Sequence, residues 1–316
     1  MRALVVDPRL SFKSDYPDPD RAAGESVVHV TLAGICGTDL EITRGYMNYR
    51  GIPGHEFIGR VTQTDDPRLA GKRVVGEINA ACGHCSFCDA GLGRHCADRT
   101  VLGIKGRNGT FAEYLTLPNE NLLPVPDSIP DEAAVFTEPL AAAYEIFEQV
   151  QIRPDQSIVV LGDGRLGAMV SLAFKAEGLG PIVAGHHREK LDRLAALGLS
   201  TSIEQTLTGS YDLVVDCTGR GNGLRRAIEL VKPRGTIVLK STAAAGAALN
   251  LAPIVINEVT VVGSRCGRFG PALAAFESGK LDLRPLIDGT FSLEDGQHAM
   301  ETAARSSNFK ILLNPA

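Results

Sequence analysis

From residue 157 onward the chain alternates short, unbroken runs of β-forming apolar residues with segments of helical composition. Residues 157–161 (SIVVL) lead through a glycine turn into helical 166–177, and 181–184 (PIVA) precede helical 189–197. The runs 212–216 (DLVVD), 236–239 (TIVL) and 259–262 (VTVV) continue the series, with helical 223–230 between the first two. A strand that is apolar at every position is buried on both faces, and a parallel sheet covered by helices on both sides provides that environment. The pattern predicts a doubly wound α/β domain.

The first third reads differently. Its apolar runs are short and broken by Gly, Asp or Pro: 26–33 (SVVHVTLA), 57–62 (FIGRVT), 72–78 (KRVVGEI) and 110–117 (TFAEYLTL). They predict a compact, mostly β domain. Pro118 to Pro130 holds four prolines in thirteen residues, a run that suits neither a helix nor a central strand, and is expected to be the linker. With 316 residues and roughly 150 per domain, two domains are expected. We place the β domain at 1–125, the α/β domain at 126–268, and a returning segment at 269–316, with a helical stretch at 271–278 and a final strand at 309–313.

Composition narrows the function. The chain is 44% hydrophobic and 22% charged, as folded globular chains are. A net charge of −5 without a dense Lys/Arg tract argues against nucleic acid or an anionic membrane as partner. No run approaches the ~18 apolar residues of a membrane span, and the N-terminus meets Asp7 before it can build a signal-peptide apolar region. A cytoplasmic protein is expected. Four of its seven cysteines crowd into residues 82–96, which fits metal ligation in a reducing compartment better than a disulfide framework.

Those four, Cys82, Cys85, Cys88 and Cys96, are spaced C-x2-C-x2-C-x7-C. Four thiolates from one short loop close a tetrahedral shell around Zn²⁺ and leave no open position, which describes a structural site. An iron–sulfur cluster is the rival, but the ferredoxin run continues C-x3-C-P, whereas here the gap is seven and Ala97 follows. A second constellation, Gly34-Ile35-Cys36-Gly37-Thr38-Asp39 and Gly54-His55-Glu56-Phe57-Ile58-Gly59, pairs a thiol with an imidazole. A buried Cys is commonly just a small hydrophobe, yet beside Asp39 and Glu56 the pair also suits zinc, with Asp39 orienting the imidazole. A catalytic zinc needs a third protein ligand, and the candidates are Glu56 and the Glu138 of Thr137-Glu138-Pro139-Leu140.

The CGTD and GHEFIG segments, the four-cysteine lobe, EPLA and the later GDGRLG occur in the order found in the zinc-dependent medium-chain dehydrogenase/reductase family, which the chain resembles over nearly its whole length. The resemblance implies a GroES-like, mostly β catalytic domain and a Rossmann domain, completed by the C-terminal segment. It implies a zinc-dependent oxidoreductase that passes a hydride between an alcohol, polyol or sugar hydroxyl and NAD(P), commonly as a homodimer or homotetramer. Cys36 and His55 then match ligands of a catalytic zinc, with Glu56 or Glu138 completing the shell, and Thr38 matches the hydroxyl that passes the alcohol proton outward. Many relatives carry a histidine five residues after the cysteine; this chain has Glu41, so either Glu41 accepts that proton or water does.

Gly162-Asp163-Gly164-Arg165-Leu166-Gly167 is G-x-G-x-x-G directly after an apolar run and opening a helical one, the context of a dinucleotide-binding βαβ unit. In the family Lys310 matches a basic side chain offered to the pyrophosphate. The second strand ends in Gly185-His186-His187-Arg188, with glycine where an NAD-type unit places its ribose-binding acid. NADP is therefore expected in preference to NAD, with Arg188 and His186 or His187 as phosphate donors. The alternative is a non-catalytic NAD(P)-binding redox sensor or partner module on the same fold, which one zinc per chain rather than two would favour. A zinc-free quinone reductase is a third reading, against which the cysteine lobe counts.

Overall fold

The computed structural model describes residues 1–241 and 249–315. It divides into two compact units: Met1–Glu138 with Phe269–Ala316, and Pro139–Arg268.

In the first unit a seven-stranded sheet is built around the ten-residue strand Glu25–Gly34, whose Val27, Val28, Val30 and Ala33 are buried. It pairs antiparallel with Glu56–Gln63 and with Tyr114–Pro118. The last strand, Lys310–Asn314, also joins it antiparallel, with Leu312 opposite Gly34 and Leu313 opposite Ala33. That pairing, rather than any local feature, makes 269–316 part of this unit. The strand expected over 110–117 starts only at Tyr114. Its beginning is held instead by hydrogen bonds from the Thr110 and Phe111 amides to the Gly54 and Pro53 carbonyls, which fixes the loop just before His55.

The proline-rich stretch is not a linker. Leu122–Pro124 is an antiparallel edge strand against Arg73–Gly76, and Leu122 and Val125 are buried. Proline is tolerated there because an edge strand has one side with no ladder to complete. The following residues stay in the unit because Asp131 binds Arg73 and accepts from the Thr31 hydroxyl, while Ala134, Val135 and Phe136 are buried. The break in the fold comes at Glu138/Pro139, not at 125/126.

The second unit holds a six-stranded sheet in the order Ser200–Ile203, Ile182–Gly185, Ile158–Leu161, Tyr211–Asp216, Val231–Leu239, Thr260–Gly263. Every pairing is parallel. Numbered within this unit, the order is 3-2-1-4-5-6, that of a Rossmann fold, whose ligand crevice lies where the order reverses beside the first strand. Val159, Leu161, Val214 and Ile237 are fully buried, as continuous apolar strands between helical layers must be. Among the described residues no helix is long and apolar enough to cross a membrane.

Candidate active site and metal centres

The lobe at 82–96 carries little regular secondary structure, a helix at Ser86–Asp89 and a 3-10 turn at Gly93–His95. Its sulfurs nevertheless converge. Cys82 and Cys88 lie 3.9 Å apart, Cys85 and Cys88 3.5 Å, and Cys85 and Cys96 3.8 Å. Four sulfurs at the Zn–S distance from one centre in a tetrahedron sit about 3.8 Å from each other, so the cage has the dimensions of a zinc site. All four are free thiols. The Cys82 backbone amide and the neighbouring thiols hold the Cys96 thiol down to about 7, while burial and the same neighbours push Cys82 up to about 11, as closely packed thiols sharing protons must do.

The second centre is assembled from two segments by one buried acid. Cys36 precedes the helix Gly37–Thr43, and Asp39 in its first turn is fully buried. One Asp39 oxygen accepts the Cys36 amide at 2.7 Å; the other accepts the Gly54 amide at 3.1 Å. Asp39 thereby joins the cysteine loop to the loop carrying His55. The His55 Nδ1 lies 3.3 Å from the same carboxylate but has no aligned hydrogen-bond partner. Burial would lower the pKa of this imidazole, yet Asp39 and Cys36 hold it well above the usual histidine value. Donor atoms of Cys36, His55 and Glu56 all lie within 4.8 Å of one another, with His55 and Glu56 buried. A thiol, an imidazole and a carboxylate converging in this way form a donor set that suits zinc.

In the second unit the glycine turn links the strand Ile158–Leu161 to the helix Arg165–Ala176, capped by Gly164. Gly162 has φ +111, and a Cβ on Gly167 would strike the Gly162 carbonyl, so helix and turn approach as closely as glycine permits. Gly164 faces open space, the room a pyrophosphate needs at a helix N-terminus. Arg165 and Leu166 form the first helical turn and are partly exposed.

Two sequence-family models match the chain: alcohol dehydrogenase GroES-like domain over residues 22–127, and zinc-binding dehydrogenase over 166–278. The chain belongs to the zinc-dependent medium-chain dehydrogenase/reductase family. Among its relatives are an erythritol/L-threitol dehydrogenase of Mycolicibacterium smegmatis, 28% identical over 94% of this chain and 92% of that one. A sorbitol dehydrogenase of Halalkalibacterium halodurans is 26% identical over 95% and 94%. An alcohol dehydrogenase from E. coli CFT073, solved with NADH, superposes with a TM-score of 0.91 at 26% identity, over 99% of both chains. The protein is thus a zinc- and NAD(P)-dependent dehydrogenase of the alcohol and polyol type.

Several residues singled out in the sequence sit differently from what the resemblance implies. Lys310 is in the first unit, 3% exposed, with its ammonium bound to the Glu56 carboxylate and 5.5 Å from the Phe136 ring centroid. It is not a surface cation offered to a pyrophosphate. Burial of Glu56 created the demand for a counter-charge, and the final strand supplies it. A Cβ on Gly34 would collide with the Glu56 carboxylate, so glycine is required there. Glu138 opens the helix Thr137–Gln149, is half-buried, and lies outside the three-residue donor cluster. The Thr38 hydroxyl is 3.9 Å from the Cys36 sulfur. Glu41 is exposed and paired with Arg44 at 2.6 Å, turned to solvent.

In the turn after the second dinucleotide-type strand, His186 is committed elsewhere: Nε2 lies 2.9 Å from Glu204, and Nδ1 2.8 Å from the Gln205 amide nitrogen. Arg188 is mostly exposed, 3.8 Å from Asp192. Sequence reasoning missed Asp163, which binds this turn, because the position between two motif glycines carries no periodic or spacing signal of its own.

Proposed function

We propose that this chain oxidises secondary hydroxyls of small polyols or sugars, or reduces the matching ketones, with NADP(H) in preference to NAD(H). The observation that carries the reading is the Cys36/His55/Glu56 cluster, with donor atoms within 4.8 Å and His55 and Glu56 buried. Cys36 and His55 hold the catalytic zinc and a carboxylate completes the shell, Glu56 in its present position or Glu138 after a rearrangement. Zinc held there would supply Lewis acidity toward a substrate hydroxyl, and NADP would supply the hydride acceptor. Asp39 keeps the imidazole oriented, and the Lys310 ammonium pairs with the Glu56 carboxylate in a buried setting. The Thr38 hydroxyl, beside Cys36, takes the hydroxyl proton, and water rather than Glu41 carries it onward.

Glycine at 185 and the exposed guanidinium of Arg188 support the NADP(H) preference. A homodimer is supported by the outer strand Thr260–Gly263, whose edge has no strand partner among the described residues and whose Val261 is 38% exposed. Val255 and Ile256 nearby in sequence are more than three-quarters exposed. An uncovered apolar edge strand invites pairing with a second copy. The free-thiol lobe fits a reducing, cytoplasmic setting.

The test joins metal analysis with turnover. Wild type should hold two zinc ions per chain and oxidise members of a polyol and sugar panel with NADP⁺; Cys36→Ala should hold one and be inactive. Normal turnover by Cys36→Ala would refute the site, and equal or tighter NADH binding by wild type would refute the cofactor preference.

A further inference from the structure

The strand Ile182–Gly185 ends where an NAD-type unit carries the acid that holds the ribose hydroxyls. Here a Cβ at Gly185 would run into the Asp163 side chain, whose Cβ, Cγ and Oδ2 are its three nearest neighbours. Asp163, the second residue of the glycine turn, is 6% exposed. Its Oδ2 accepts the amides of His186 at 2.8 Å and His187 at 2.6 Å. The His187 Nδ1 lies 3.0 Å from Oδ1 and 3.1 Å from Oδ2. Burial would raise the Asp163 pKa, but the His187 and His186 bonds hold it below the usual carboxylate range.

Two consequences follow from this packing. The carboxylate sits at the root of the absent side chain, where an acid on position 185 would have only its Cβ. Its oxygens are spent on the 186–187 turn, so it is drawn back from the place where an NAD-type acid meets the ribose. It also bars such an acid, because no side chain fits at 185 while Asp163 is present. With Nδ1 committed to Asp163, the imidazole of His187 is 41% exposed and has Nε2 as its remaining nitrogen, and Arg188, which follows it in sequence, is 77% exposed. His186 is held by Glu204 and Gln205 and takes no part.

We propose that Asp163 is a positioning residue for the 2′-phosphate of NADP(H): it replaces the side chain excluded at Gly185, clamps the His186–His187 turn, and orients His187 alongside Arg188 toward that phosphate. The proposal rests on the NADP(H) preference above and assigns it a physical origin.

The probes are 2′,5′-ADP, which carries the extra phosphate, and 5′-AMP, which lacks it, each competed against bound NADPH fluorescence on the holoprotein. Wild type should bind 2′,5′-ADP more tightly. In Asp163→Gly that advantage should fall roughly ten-fold, the scale of one charge-assisted hydrogen bond, with 5′-AMP affinity nearly unchanged. Asp163→Asn, which keeps an acceptor for the turn amides but no charge, should lose less in the same direction and covers the case of a poorly folded glycine variant. Gly185→Asp alone should lower the melting temperature through the collision. Combined with Asp163→Gly it should recover stability and favour 5′-AMP. A wild type without preference for 2′,5′-ADP overturns both the cofactor preference and this assignment. A wild-type preference that persists in Asp163→Gly and Asp163→Asn overturns the Asp163 role alone, as does a Gly185→Asp protein of wild-type stability.

Discussion

Replacing Lys310 by methionine tests how the first unit tolerates a charge at its centre. Lys310 is 3% exposed and Glu56 1%, and their contact spans 254 positions in sequence, from the final strand to the start of Glu56–Gln63. Methionine keeps the length and apolar stem of lysine, so little packing volume is lost. What remains is Glu56 in a pocket without its cation. Removing one partner of a buried pair costs about 3–5 kcal/mol, a large share of the about 5–15 kcal/mol that stabilises a domain. For a unit of this size each kcal/mol shifts the melting temperature by about 2–4 °C, so Lys310→Met should melt roughly 6–20 °C below wild type. Glu56→Gln/Lys310→Met, which removes both charges, should regain much of that loss, and the double-mutant cycle isolates the pair. Urea unfolding in a Cys36→Ala background, which keeps the lobe zinc but no metal beside Glu56, of the parent, both single variants and the double supplies the four free energies. A loss below about 1 kcal/mol in Lys310→Met, the range of an exposed pair, would refute the argument that the buried Glu56 side chain relies on Lys310 as its partner.

Two other expectations follow from the geometry. Cys88→Ser should release the lobe zinc, lower thermal stability and leave the Cys36-dependent zinc in place; zinc analysis showing both ions retained would reject the four-sulfur cage. Asp212 is held far below the usual carboxylate range by the Ser157 hydroxyl and by Lys232, 2.9 Å away. A carboxylate depressed on folding contributes stability above its unfolded pKa, about 3.9, that is lost as pH falls toward its folded value. The urea-midpoint gap between wild type and Asp212→Asn should therefore be constant down to about pH 5 and shrink toward pH 3; a gap independent of pH would contradict it.

The lobe cysteines, the glycine turn and the parallel strands were legible in the sequence because each is local. Four thiols within fifteen residues have few ways to be arranged, and a continuous apolar run has few environments that satisfy it. The strand order of the second unit is not written in those runs and emerges only in the folded sheet. The proline-rich stretch misled because composition reports what a segment disfavours, not that a sheet edge suspends the penalty. Lys310 misled for a related reason: a lysine in an apolar strand shows that a charge is buried, but not which acid receives it. Gly34 looks like any other glycine, and Gly185 only like a missing acid, until Glu56 and Asp163 are found where their side chains would be. Sequence thus determined which chemical groups the protein owns and the local frames that carry them. Tertiary structure decided which charges meet, because a buried charge is stabilised by whatever lies within a few ångströms, and folding brings such partners together from positions far apart in the chain.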